Sequence, residues 1–181
     1  MKSSAVVFLL GFAALIVQGA LARTIPPPWC PDLSWLVILG IGLRWPGFLS
    51  GLLVVVPLGY AMDLLSGSMM GQHAFMRLLS YLIAAVASRQ LDLSGALPVS
   101  VFVFAMTLLY GLGIALTLSL FSGQNGLGIE VLGSGLGHGM VNVIAAGPMI
   151  ALVERVVVRF SDEEAGRRAP LALAGHRRGL G

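Results

Sequence analysis

Long apolar runs separated by short polar or small-residue turns make up most of the chain. The runs are continuously apolar rather than alternating over about ten residues, which is typical of helices that cross a bilayer and not of barrel strands. The pattern predicts an all-α integral membrane protein with one transmembrane domain over residues 1–160. Six segments each predict a transmembrane helix: residues 4–22, 30–44, 48–65, 75–88, 97–121 and 130–153.

Two of these segments leave five or six spans open. The first ends in Ala20-Leu21-Ala22, which also fits a signal-peptidase site, so it is either a signal peptide or an uncleaved span. We favour the uncleaved span because more spans follow. Leu33–Leu43 supplies only about 16 Å of helix, so it either crosses a thinned bilayer together with its flanks or is re-entrant.

Composition excludes a water-soluble globule. The chain is 57% hydrophobic and 10% charged, with a mean hydropathy of +0.92. An ordinary soluble domain carries about 25% charged residues. The single cysteine, Cys30, excludes an intrachain disulfide and makes a cysteine-ligated metal cluster unsupported.

Charge is unevenly distributed along the chain. Six of the eleven basic residues lie at or after Arg155, and residues 161–181 predict an Arg-rich, disordered cytoplasmic tail. A six-span arrangement with both termini inside places nine basic residues in the cytoplasm and leaves Arg23 and Arg77 outside. A five-span arrangement scores equally, and both put the C-terminus in the cytoplasm. Basic residues beside a span meet anionic membrane lipids, whereas no aromatic-interleaved groove supports nucleic-acid binding.

Candidate chemistry centres on GYAMDLLSGSMMGQHA, Gly59 to Ala74. Asp63 lies near the end of an apolar run, and a carboxylate at the edge of a span usually marks a site or an interface. It is an ion or proton site, a partner for a cation on another helix, or a helix-end residue that reaches interfacial water. His73 and Arg77 follow across the turn, so a local pair with Asp63 is one expectation.

A second polar pair lies in the last span, where His138 and Asn142 have i,i+4 spacing. We interpret the pair as a source of interhelical hydrogen bonds rather than as a ligand site. Gly133 and Gly137 form a small-xxx-small pair that predicts helix packing. Gly47, Gly51 and Gly59, spaced by multiples of four, predict a close helix approach on one face.

Catalytic motifs are not found in the sequence. The three histidines are scattered, and neither H-E-x-x-H nor a phosphate-binding glycine loop occurs. We therefore predict a protein that is not an enzyme and that has no cofactor and no metal.

The chain resembles the rod shape-determining membrane protein MreD family over roughly residues 31–88. The residues that carry the resemblance are Pro31-Asp32-Leu33, Gly47, Gly51, Gly59, Asp63-Leu64-Leu65-Ser66-Gly67, Gly71 and His73-Ala74. The long Arg-rich tail and the Pro26-Pro27-Pro28 connector depart from the family pattern.

This resemblance implies a non-enzymatic component of the bacterial inner membrane that belongs to the cell-elongation complex, and so acts in cell shape and peptidoglycan synthesis. The implied partners are MreC, the actin-like MreB, the glycosyltransferase RodA and a class B penicillin-binding protein. The implied fold is similar to the S component of energy-coupling-factor transporters. The implied structural or interface residues are Asp32, Gly59, Asp63, Gly67, Gly71 and His73.

The alternative function is that of the S component itself, which would bind a vitamin-like solute within the helix bundle. Such a site requires convergent polar groups from several spans. Few polar residues lie in the middle of the spans, which favours an assembly factor of the cell-elongation complex over a solute-binding S component. These are Gln18, Thr107, Ser119, His138 and Asn142.

Overall fold

The computed structural model describes the backbone of residues 2–67, 69–122 and 129–177, and the side chains of residues 3–67, 69–121 and 133–159. Within these ranges the chain folds into helices joined by short turns, without a strand. In chain order the helices are α1 (Lys2–Leu21), α2 (Leu33–Arg44), α3 (Phe48–Ser66), α4 (Gln72–Gln90), α5 (Ala96–Ser122) and α6 (Ile129–Arg177).

The protein is a membrane-embedded bundle of helices. Among the described residues, α1, α3, α5 and α6 are each long and apolar enough to cross a bilayer. Helix α2, at 12 residues, is short for a span, and α4 is as long as α3 but more polar. The all-helical class is thus confirmed, and the number of spans remains a prediction.

Helix α2 is the centre of the bundle. Every residue from Ser34 to Leu43 is buried, which explains why this helix is hydrophobic all round rather than on one stripe. One side, with Trp35, packs against α4, α5 and α6, and the other side, with Ile38, packs against α1 and α3. The short apolar run therefore faces protein on all sides and has little contact with lipid.

Helices α3 and α4 form a tight antiparallel hairpin. Gly67 and Gly71 have φ angles of 64° and 89°, in the left-handed region that glycine adopts without strain, so they close the turn. Farther along, Gly59 lies directly against the backbone of Ala74. The hydroxyl of Tyr81 donates to the carbonyl of Phe48, 2.7 Å away, which ties the opposite end of the hairpin.

Helix α6 continues to Arg177, through much of the segment for which the sequence predicts a disordered tail from residue 161. The side chains of that segment lie outside the described residues. The sequence predicts a Gly- and Asn-containing turn over residues 122–128, and of these 123–128 also lie outside the described residues. The division at residue 160 therefore stays a prediction.

We expect Gly59→Ala to destabilise the bundle, because the added Cβ would lie 2.7 Å from the Cα of Ala74 and the two backbones would have to separate. Overpacking of this kind costs about 1–3 kcal/mol. Gly111→Ala in α5 is the matched control, since an added Cβ there meets nothing within 4 Å. Thermal unfolding in detergent measures both, and equal melting of the two variants would contradict the close approach.

Candidate functional site

Arg77 is an arginine fully buried inside the bundle. Its Nη2 donates to both carboxylate oxygens of Asp32, at 3.0 and 3.1 Å, and its Nη1 donates to the Ser34 hydroxyl at 2.7 Å. Its Nε has no hydrogen-bond partner among the described residues. Both bonds to Asp32 come from one nitrogen, and together with the bond to Ser34 they join α4 to the start of α2 through charge-assisted hydrogen bonds.

Asp32 is also the N-cap of α2. Its Oδ1 accepts hydrogen bonds from the backbone N–H of Trp35 at 3.0 Å and from the Ser34 hydroxyl at 3.1 Å. The carboxylate therefore meets an orphan N–H of the first turn and the positive end of the helix dipole, in addition to the arginine. One side chain thus fixes both where α2 begins and where α4 lies.

Hydrogen bonds extend this arrangement to three more helices. From α1, Gln18 Oε1 accepts from the N–H and the hydroxyl of Ser34, each at 3.2 Å. From α6, Asn142 Oδ1 accepts from the N–H of Asp32 at 2.9 Å, and its Nδ2 donates to Thr107 of α5 at 3.4 Å. We call the connected set the polar layer; it comprises Gln18, Asp32, Ser34, Arg77, Thr107 and Asn142.

The polar layer lies well inside the bundle. Arg44 lies at the other end of α2 from the polar layer. Its Nη2 donates to the Leu93 carbonyl at 3.1 Å, and its Nε lies 3.8 Å from Glu154 Oε2. Twelve residues of helix separate Asp32 from Arg44, and twelve separate Asn142 from Glu154, which is about 18 Å at 1.5 Å per residue. If Arg44 lies at one interface, as the charge pattern of the sequence predicts, a layer about 18 Å away falls within a hydrocarbon core about 30 Å thick.

Asp63 acts as a cap for α4, although it belongs to α3. It is 2% exposed, and its carboxylate accepts from the backbone N–H groups of Gly71 at 3.1 Å, His73 at 2.7 Å and Ala74 at 3.0 Å. The expectation that it reaches interfacial water, and the expectation that it pairs with Arg77, are therefore wrong. Both its oxygens are already engaged by the start of α4.

His73 and His138 each bond to a neighbouring segment. The His73 Nδ1 lies 2.6 Å from the Tyr110 hydroxyl of α5, and the two rings stack. The His138 Nδ1 lies 3.2 Å from the carbonyl oxygen of Pro28 in the connector between α1 and α2. His138 and its i,i+4 neighbour Asn142 thus both hold the chain that enters α2.

The glycines singled out from the sequence take different positions. A Cβ on Gly137 would meet Pro28 at 3.1 Å, so Gly137 packs against the connector, whereas one on Gly133 would meet nothing within 4 Å. The close contact between α6 and α5 falls instead at Gly139, where a Cβ would lie 2.8 Å from the ring of Phe104. Sequence reasoning did not separate Gly139 from its neighbours, since glycine recurs at every second position from 133 to 139.

The contacts of this site are hydrogen bonds and one ion pair between helices. Within the part of the chain that the structure describes, no three histidine, cysteine or carboxylate side chains come together to hold a metal ion. Both oxygens of Asp32, the Ser34 hydroxyl and the Asn142 amide bond to other members of the layer, whereas Arg77 Nε has no partner among the described residues. The pairing of Asp32 with Arg77 was not predicted from the sequence. The capping role of Asp32 could have been, because an Asp at the start of a helix, three residues before the N–H that it accepts from, is a typical N-cap.

These features define a class: a helical membrane protein whose buried polar layer joins five of its helices. Comparison with models of protein families, with curated proteins and with solved structures gave no match for this chain.

We expect Asp32→Asn to destabilise the protein strongly, because it leaves the Arg77 charge buried without its counterion. Breaking one partner of a buried ion pair costs about 3–5 kcal/mol. Asp92→Asn is the control, since Asp92 lies in the exposed turn before α5 and, among the described residues, accepts from Ser94 alone.

The double variant Asp32→Asn with Arg77→Gln should lose less stability than the sum of the two single losses, as measured by chemical unfolding in detergent. Strictly additive losses would show that the two side chains are not coupled in the folded protein.

Proposed function

We propose that the protein is a non-enzymatic assembly factor of the bacterial cell-elongation complex, similar to the MreD family. The observation that carries the proposal is the polar layer: the polar groups that point into the bundle bind one another, so the interior acts as a scaffold. A solute carrier would instead need convergent polar groups left available to its ligand.

The residues of the resemblance support the same proposal because they shape one end of the bundle. Asp32 fixes the start of α2, Asp63 caps α4 through the backbone of His73, and Gly59 brings α3 against α4. The remaining two, Gly67 and Gly71, close the α3–α4 turn with positive φ angles. A shared pattern that sets the geometry of a hairpin is what a protein needs to present a packing face to another transmembrane helix.

The partners in this proposal are the single-span protein MreC, with MreB, RodA and a class B penicillin-binding protein in a larger complex. The protein would then lie in the bacterial inner membrane and act in peptidoglycan synthesis and cell shape. The alternative remains the S component of an energy-coupling-factor vitamin transporter.

Orientation in the membrane is part of the proposal, with the C-terminus in the cytoplasm. Arg77 is buried in the bundle, so it does not count as an external charge, and Arg23 is the one basic residue left on the outer side. A phosphatase reporter that is active only in the periplasm should be inactive when fused after Arg159. A fluorescent protein that folds only in the cytoplasm should be bright at the same position, and the reverse pattern would contradict this orientation.

Affinity purification of the tagged full-length chain from native membranes tests the function. We expect an MreC-type single-span protein and the wall synthases to copurify. Recovery of an energy-coupling module instead, together with saturable binding of a vitamin, would replace this proposal by the alternative.

Variants of the hairpin give the same experiment its control. Asp63→Ala removes the acceptor of three N–H groups at the start of α4, so we expect normal insertion but several-fold lower partner recovery. Asp92→Ala removes a carboxylate from the exposed turn at the other end of the bundle and should leave recovery unchanged. Equal recovery with both variants would show that the hairpin does not face the partner.

A further inference from the structure

A surface groove lies at the end of the bundle opposite the α3–α4 turn. Its volume is about 440 Å³, and its described lining residues belong to α6: Ala151, Glu154, Arg155, Val158 and Arg159. All five are exposed. The groove therefore has two arginines, one carboxylate and two small apolar side chains on one helix face.

The two arginines of the groove are both exposed and lie on one face of α6. Arg155 and Arg159 are one turn apart on the same face, so their guanidinium groups can approach a single anion from two sides. Neither has an ion pair or a side-chain hydrogen bond with another described residue. Glu154, the acid of the groove, lies 3.8 Å from Arg44 Nε, so part of its charge is already balanced by α2.

The depths of these residues along α6 correspond to the parts of a phospholipid, with the arginines at the level of a phosphate and Ala151 at the level of an acyl chain. Glu154 is level with Arg44 at the end of α2, and the charge pattern of the sequence predicts the cytoplasmic interface at Arg44. Arg159 is farther out, and Ala151 is one turn closer to the centre of the bilayer than Arg155. A phosphate held by the arginines would therefore direct its acyl chain inward along Ala151.

We propose that this groove is a binding site for the headgroup of an anionic phospholipid, with the phosphate bracketed by Arg155 and Arg159. The site needs only that the protein is embedded in a membrane, so it is independent of any role in cell elongation. A lipid bound at this position would lie between α6 and the surrounding bilayer. Basic pockets at this side of a membrane protein are where anionic headgroups bind.

The test is a titration of the purified full-length chain with phosphatidylglycerol in mild detergent, followed by native mass spectrometry, with phosphatidylcholine as the neutral lipid. We expect wild type to bind phosphatidylglycerol in preference to phosphatidylcholine. The double variant Arg155→Gln with Arg159→Gln should weaken this binding about 25-fold, since each basic residue near a headgroup contributes about five-fold. Glu154→Gln should bind the lipid more tightly than wild type.

The matched control is the double variant Arg23→Gln with Arg89→Gln, which removes the same net charge from exposed positions outside the groove. It should bind phosphatidylglycerol as wild type does. An equal loss in both double variants would overturn the proposal, because the attraction would then depend on net charge alone. Binding of inorganic phosphate with the same variant dependence, without preference for the lipid, would overturn it as well and indicate a site for a soluble anion.

Discussion

The ion pair between Asp32 and Arg77 is the interaction on which the arrangement of helices depends. A guanidinium at membrane depth is costly unless a carboxylate faces it, and here both oxygens of Asp32 do so at 3.0 and 3.1 Å. Because Asp32 is simultaneously the N-cap of α2, the same contact sets the depth at which the central helix begins. Gln18 and Asn142 then bond to the entrance of α2, so α1 and α6 are positioned relative to the pair rather than independently.

Asp32 and Asp63 are carboxylates that accept hydrogen bonds from backbone N–H groups at the start of a helix inside the protein. In a membrane, a helix that begins inside the protein has N–H groups without water to accept from them, and each unsatisfied group costs several kcal/mol. An N–H group in the first turn of α2 donates to Asp32, and N–H groups at the start of α4 donate to Asp63, which belongs to α3. These are also the two helices not counted among the four long apolar ones. Their starts are stabilised by internal acceptors, which lets the bundle contain helices that lipid alone would not hold.

The helices could be predicted closely from the sequence because long apolar runs leave few alternatives. Five of the six predicted segments agree with the observed helices to within a few residues at both ends. The predicted end of the last segment, residue 153, is the exception. The partners of the charged residues could not be predicted. Arg77 lies close in sequence to Asp63, and proximity along the chain favoured that pair, yet Asp32 is 45 residues away and binds it. Asp63 was identified as a turn residue, but which backbone groups it accepts from depends on the angle at which α4 leaves the turn. The glycine spacing predicted a close helix approach at Gly59, but it did not identify Ala74 as the contact on the other helix.

Most of the described polar groups inside the bundle bond to one another, so recognition of another molecule depends on the outer surface of the bundle. The exposed face of α3 is apolar, with Leu49, Leu53 and Leu64 each more than half exposed. Apolar surface of this kind does not distinguish an acyl chain from the side chains of another transmembrane helix, because lipid tails are as apolar as leucine. Under the proposal of a protein partner, selection would come from shape, and the shape of the α3–α4 hairpin follows from a glycine contact and a carboxylate cap. Buried residues that never touch a partner can thereby determine whether one binds.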